Sequence, residues 1–275
     1  MRKMFCSLAV GLLLLSSTSC EKLKARDELN KGVQAFKSTK FQEAAEHFTN
    51  AINHDPTFPT SRLYLAMSYL SQWIPGANSD ENTLMATKAQ EQFMKVLEQN
   101  PKETVAIASI ASMYFNQKKL DEAKEWYTKL LNVDPNSKTA YYTIGVIAWT
   151  KTFPKRMEAR AKLSMKPEDP GPLKDKKVRA DIKEKNLATV EEGMKNLQKA
   201  IDVDKEYDDA MVYLNLLYRE RADLADTSED YKKDIASADS WVDRTLETKK
   251  IKTERAQKTQ GGVIIDEKKP EDVKK

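Results

Sequence analysis

Cysteine, histidine and glycine are scarce in this 275-residue chain, and long apolar runs are nearly missing. The two cysteines are Cys6 and Cys20, so no internal disulfide framework is expected. The eight glycines form no phosphate-cradling loop and no Gly-x-Ser-x-Gly elbow. Only two histidines exist, His47 and His54. The segment Glu43-Ala44-Ala45-Glu46-His47 has the outline of an inverted zinc-peptidase motif, but Glu43 stands where that motif needs a histidine. Acidic pairs fall on polar helix faces, as solvated surfaces do. No enzyme, metal or cofactor is therefore expected. A strong excess of one charge is absent too: a net charge of +4 gives no argument for nucleic acid.

The first 20 residues differ from the rest. Arg2 and Lys3 precede an 11-residue, mostly apolar run from Phe5 to Leu15, then Ser16-Ser17-Thr18-Ser19 and Cys20. Charge, length and small-residue exit together predict an export signal over 1–19, too short for a stable membrane span. No later segment is apolar enough to cross a bilayer. Cleavage before Cys20 leaves one cysteine with no internal partner. Its place at the new N-terminus resembles the lipid-modified cysteine of bacterial lipoproteins, although Ser17 stands where leucine is usual. That resemblance implies a lipid anchor on Cys20, and Glu21 after it implies the outer membrane, facing the periplasm. The alternative is plain secretion to the periplasm.

What the chain has in abundance is a recurring interval. Ala44, Phe48, Ala51 and Pro56 are spaced by four, three and five residues. The same steps return at Ala89, Phe93, Val96, Pro101 and at Ala123, Tyr127, Leu130, Pro135, and more weakly at Gly193, Leu197, Ala200, Lys205. A faint copy reads Ala238, Val242, Thr245. Ten residues after each of the first four comes Ala66, Ala111, Gly145 or Asn215, and Gly32 opens the series. Helical spacing with small residues at fixed places predicts stacked helical hairpins, because small side chains let helices approach closely while aromatics fill the gaps.

The pattern resembles the tetratricopeptide repeat, a helix–turn–helix unit of about 34 residues. The first unit carries it through Gly32, Phe41, Ala44, Phe48, Ala51 and Pro56. The third carries it through Ile107, Ala111, Tyr114, Leu120, Ala123, Tyr127 and Pro135. The resemblance implies an all-α, right-handed helical-hairpin solenoid over 20–252, with about five units at 25–58, 59–103, 104–137, 138–207 and 208–252. Units 2, 4 and 5 hold insertions. The loop Trp73 to Asn78 fills the second, with Asn78 and Glu81 as a cap for the next helix, and Thr227 is the expected cap in the fifth. The insertion at 151–186 has twelve basic and six acidic residues and four prolines. It predicts a short helix over 155–165, a rigid turn and a basic helix, with anionic lipid heads as one place for its lysines. Residues 253–275 are expected to be a disordered tail. The apolar patch Val263-Ile264-Ile265 within it is either part of a loose tail or an edge for a partner's sheet.

In that family the first helix of each unit lines a groove. The matching positions here are Leu29, Val33, Phe36, Leu63, Met67, Leu70, Phe115, Tyr142, Val146, Trp149, Val212, Leu216 and Arg219, with Val105, Ala108 and Ser112 beside Phe115. Leu29, Val33 and Leu63 replace the polar residues with which some members clamp a peptide carboxylate. First helices apolar on two sides are either buried by the chain itself or cover a partner. The resemblance implies a non-enzymatic, membrane-tethered scaffold that takes protein or peptide partners through an apolar aromatic groove. Lipoproteins of similar build serve outer-membrane-protein and pilus assembly. The alternative is a periplasmic lipoprotein for glycans or small ligands, with Trp73 and Trp149 as stacking platforms.

Overall fold

The computed structural model describes residues 2–260, with the side chains of 20–58 and 60–258. Ten helices and no strand occur among the described residues: α1 (Arg2–Lys37), α2 (Phe41–His54), α3 (Pro59–Gln72), α4 (Asp80–Gln99), α5 (Thr104–Asn116), α6 (Leu120–Val133), α7 (Lys138–Lys162), α8 (Lys176–Val203), α9 (Asp208–Asp223) and α10 (Ser228–Gln260). Consecutive pairs form the five expected hairpins, each packing first helix on second. The fold is the all-α helical-hairpin solenoid class. The chain divides into two compact units, Met1–Pro135 with three hairpins and Asn136–Lys275 with two.

Local rules repeat from hairpin to hairpin. In hairpins one and three the first helix ends in a left-handed residue, Thr39 (φ 58°) or Lys118 (φ 62°). The next amide then bonds back five residues, Lys40 N–H to Ala35 O and Lys119 N–H to Tyr114 O, both at 3.0 Å. This Schellman-type closure satisfies carbonyls that a helix end leaves open. The second helices of the first four hairpins stop alike: Asp55, Asn100, Asp134 and Asp204 leave the helical region, and each N–H bonds to the carbonyl four residues back. Proline follows three of these caps, which keeps the helix from resuming.

The glycines of the interval pattern mark the closest helix approaches. A methyl group on Gly32 would sit 2.5 Å from the buried Phe48 ring, and one on Gly193 would sit 2.5 Å from Ala148 Cβ. One on Gly145 would sit 2.4 Å from Leu197 Cγ. Each contact joins a first helix to a second, so these positions set how tightly each hairpin closes.

In the first unit, Ala44, Ala45, Phe48 and Leu65 form one core cluster, and Ala66, Ala89, Phe93, Ile110 and Met113 another. The loop between α3 and α4 is stitched by one side chain. Buried Asn82 accepts from Ile74 N–H at 2.6 Å and donates to the carbonyls of Ile74 and Ala77 at 2.9 Å. Ser79, not Asn78, caps α4, its Oγ accepting from Asn82 N–H at 3.1 Å. Both histidines join α2 to α1: His47 Nδ1 lies 2.8 Å from Glu28 and His54 Nδ1 2.7 Å from Glu21.

In the second unit the insertion lengthens one hairpin rather than adding a separate helix. α7 runs unbroken through Pro154 to Lys162, so the short helix over 155–165 is replaced by an extension of α7. Pro154 is exposed, and water can satisfy the carbonyl that loses its donor there. Met165, Leu173, Ile182 and Ala159 build a small core under this extension with Leu224 of the α9 end. Thr227 caps α10 as expected, its Oγ1 accepting from Asp230 N–H at 3.0 Å. α10 continues to Gln260, eight residues past 252. The remainder of the expected tail, with Val263-Ile264-Ile265, lies outside the described residues, as do the side chains of the expected export signal.

Candidate functional site

α7 and α9 are the first helices of their hairpins, and they pack against each other within the second unit. Steps of four, three and four place Tyr142, Val146, Trp149 and Phe153 on one side of α7. Tyr213 comes from α9 and Tyr207 from the turn before it. The rings form a continuous cluster. Trp149 stacks on Phe153 at 4.7 Å and meets Tyr213 edge-on at 5.6 Å. Tyr142 meets Tyr213 edge-on at 5.7 Å and Tyr207 at 5.1 Å. Each such pair contributes about 0.5–1.5 kcal/mol beyond area burial. Lys138 fixes the Tyr207 end, its ammonium 5.3 Å from the ring and 2.7 Å from Asp204.

These five aromatic residues are half-buried, not sealed. Burial pushes the Tyr142 phenol above the usual tyrosine range, so it is neutral and able to donate a hydrogen bond across the physiological range. The Trp149 indole N–H is buried with no acceptor. An unpaired buried donor costs about 1–3 kcal/mol, so this face is not optimal as it stands.

Of the thirteen expected groove residues, only Val146 is buried, at 7% exposure; the other twelve are half-buried. Leu29, Val33 and Phe36 lean on the first core cluster, and Leu63, Met67 and Leu70 on the second. Phe36 is tied edge-on to Phe41 and Tyr64 at 5.3 and 6.1 Å, which gives it a packing role at the hairpin turn. Phe115 stays half-buried near the end of α5, and Val105 is exposed at its start. Val212 and Leu216 are half-buried on α9, while Arg219 donates to Asn215 at 2.9 Å and to Asp239 of α10 at 2.6 Å. Trp73 packs against the core beside the α3–α4 loop.

Phe153, Tyr207 and Tyr213 are the cluster members missed by sequence reasoning. Phe153 was legible, because it continues the α7 stripe by one step of four. The adjacent Pro154 hid it by suggesting that the helix ends there. Tyr213 lies one position from the α9 stripe, on the side that meets α7.

Behind the aromatic face, charges are buried. Arg160 Nη1 donates to both Asp223 carboxylate oxygens at 2.8 Å, and its other nitrogens donate to the carbonyls of Lys166 and Asp169. Arg156 Nε lies 3.0 Å from Glu220 Oε1, an ion pair without hydrogen-bond alignment. Burial pushes Glu220 up to about 7, opposed by Arg156 and reinforced by Asp223. Burial raises Asp223 as well. Among the described residues, no group of three histidine, cysteine or acidic side chains is arranged to hold a metal ion, and no helix is long and apolar enough to cross a membrane.

A family model described as tetratricopeptide repeat matches residues 106–137. The fold also resembles solved structures of that build. A crystal structure of MamA protein aligns with a TM-score of 0.56 at 12% identity, covering 84% of this chain and 94% of that one. MamA 41-end from Desulfovibrio magneticus RS-1 gives 0.54 at 17% identity, covering 82% and 96%. YrrB, a TPR protein with an unusual peptide-binding site, gives 0.50 at 11% identity, covering 81% and 90%. Residues 106–137 therefore match that repeat, and the likeness to these structures shows the helical-hairpin solenoid fold. No curated protein sequence matches the chain significantly.

Proposed function

We propose that this protein is a non-enzymatic scaffold that binds a protein or peptide partner through the aromatic face of α7 and α9. The half-buried Tyr142, Trp149, Phe153 and Tyr213 cluster carries this reading. Rings of this kind supply large apolar area at low rotamer cost, and one polar tip each for orientation. The unpaired indole N–H agrees with a face that is incomplete alone. YrrB carries a peptide-binding site on the same fold. An amphipathic helix or an extended apolar peptide suits the surface.

The tether belongs to the same proposal. Cys20 is exposed on α1, open to lipid modification after cleavage of 1–19. The protein would then sit at the outer membrane facing the periplasm, in envelope assembly. Metabolic labelling with an alkyne fatty acid tests this directly: label is expected on the wild type and lost in Cys20→Ser, and an unlabelled wild type removes the anchor.

The partner face is tested by affinity capture from intact envelopes with a Tyr142→Glu/Phe153→Glu variant whose helicity matches the wild type. Partner recovery is expected to fall about tenfold or more, since buried aromatic anchors dominate such interfaces. Undiminished recovery by the folded variant would remove the face from the account.

A further inference from the structure

The insertion carries a second surface, separate from the aromatic face. Of its twelve basic residues, Arg156, Arg160 and Arg179 turn inward, pairing with Glu220 and Asp223 or bonding the Leu173 carbonyl. The nine lysines remain. Four of them, Lys155, Lys162, Lys177 and Lys185, ring a cleft of about 550 Å³ between the end of α7 and the start of α8. Its floor is apolar: Ala159 and Ile182 are buried and Val178 is half-buried. Two carboxylates share the rim, Glu158 and Asp181, and each is neutralised by a lysine one helical turn away, Lys162 at 2.7 Å and Lys185 at 2.6 Å. Lys155 and Lys177 are exposed and stand as uncompensated positive charge at the cleft mouth.

We infer that this cleft docks an acidic peptide segment that inserts one apolar side chain between Val178 and Ile182, with its carboxylates on Lys155 and Lys177. Four lysines against two carboxylates give the charge complementarity, and the recessed floor gives the pocket for a single aliphatic anchor. The concavity favours a peptide over a bilayer. Membrane-contacting surfaces push apolar side chains outward among their basic residues, whereas the exposed large apolar residues among the described ones are Leu23, Ile74, Leu84, Met94, Val105, Val203, Leu246 and Ile251, none in the insertion. The inference stands apart from the aromatic-face reading, sharing none of its residues.

The test is fluorescence anisotropy with the full chain at low salt. The probes are a synthetic glutamate-rich peptide holding one leucine, its leucine-to-serine version, and vesicles containing phosphatidylglycerol. The leucine peptide is expected to bind saturably and better than the serine version. Lys155→Glu/Lys177→Glu, at exposed positions, should weaken it about tenfold, through reversal of two rim charges. Val178→Ser should erase the advantage of leucine over serine. Rising salt should weaken binding of the wild type more than that of the double variant. Absence of binding, equal affinity for the two peptides, insensitivity to the double variant, or lysine-dependent binding to vesicles alone would each overturn the inference.

Discussion

The two units obey the same hairpin grammar and differ in what they bury. In the first, the buried polar side chains among the described residues are Ser61, Ser68 and Asn82, all uncharged. In the second, Arg160, Arg179, Glu220, Asp223 and Asp234 are buried. The first unit closes with alanines and single aromatics, as at Ala44 and Phe48. The second closes around an insertion that an apolar core alone does not hold, so ion pairs tie α7 and the 163–175 segment to α9. Regular hairpins need only shape, whereas the lengthened one needs charge pairing in low dielectric, which is costly to break.

Breaking that pairing should give the largest effect. Asp223→Ala leaves Arg160 buried without its carboxylate and should destabilise the second unit by about 3–5 kcal/mol. Urea unfolding followed by hydrogen exchange in α8 and α9 would measure it, with α1–α2 amides as the unaffected comparison.

The pH response should carry opposite signs at one carboxyl of each unit. Glu220 is raised from 4.5 to about 7, so its contribution is fully present below pH 4.5 and is lost as pH rises through about 7. Glu28 goes the other way. The His47 hydrogen bond holds its carboxyl down to about 2, so its contribution is present above pH 4.5 and lost as pH falls toward about 2. Stability measured from pH 4.5 to 7.5 should therefore fall with pH in the second unit through this group, and Glu220→Gln should remove that slope. An unchanged slope in Glu220→Gln would assign it elsewhere.

Two substitutions in the α7–α8 hairpin should act more weakly. Gly193→Ala forces a methyl group onto Ala148 and Leu217 and should cost about 2 kcal/mol, because that helix approach has no slack. Pro154→Ala restores a donor inside α7 and should raise stability, readable as a higher unfolding midpoint in urea.

Much of the fold was legible because it is written in short-range intervals. Ala44 to Pro56 and its copies specify where helices meet and stop, and the five pairs of helices follow. The insertion was not legible in the same way. Arg160 finds Asp223 at a separation of 63 residues, and no local pattern announces that a lysine-rich stretch turns its arginines inward. Pro154 suggested a helix boundary, but packing on α8 and α9 carries α7 past it. The candidate site was half legible. Tyr142 and Trp149 follow from helical periodicity, whereas Tyr207 and Tyr213 join them only through the packing of α9 on α7.

The most direct test of the aromatic face is site-specific photo-crosslinking in intact cells. A photoreactive residue at Phe153 is compared with one at Met94, exposed on the second helix of hairpin two. A discrete protein adduct is expected from position 153 and none from 94. Equal labelling at both positions, or no adduct at 153 in cells where the protein is abundant, would contradict it.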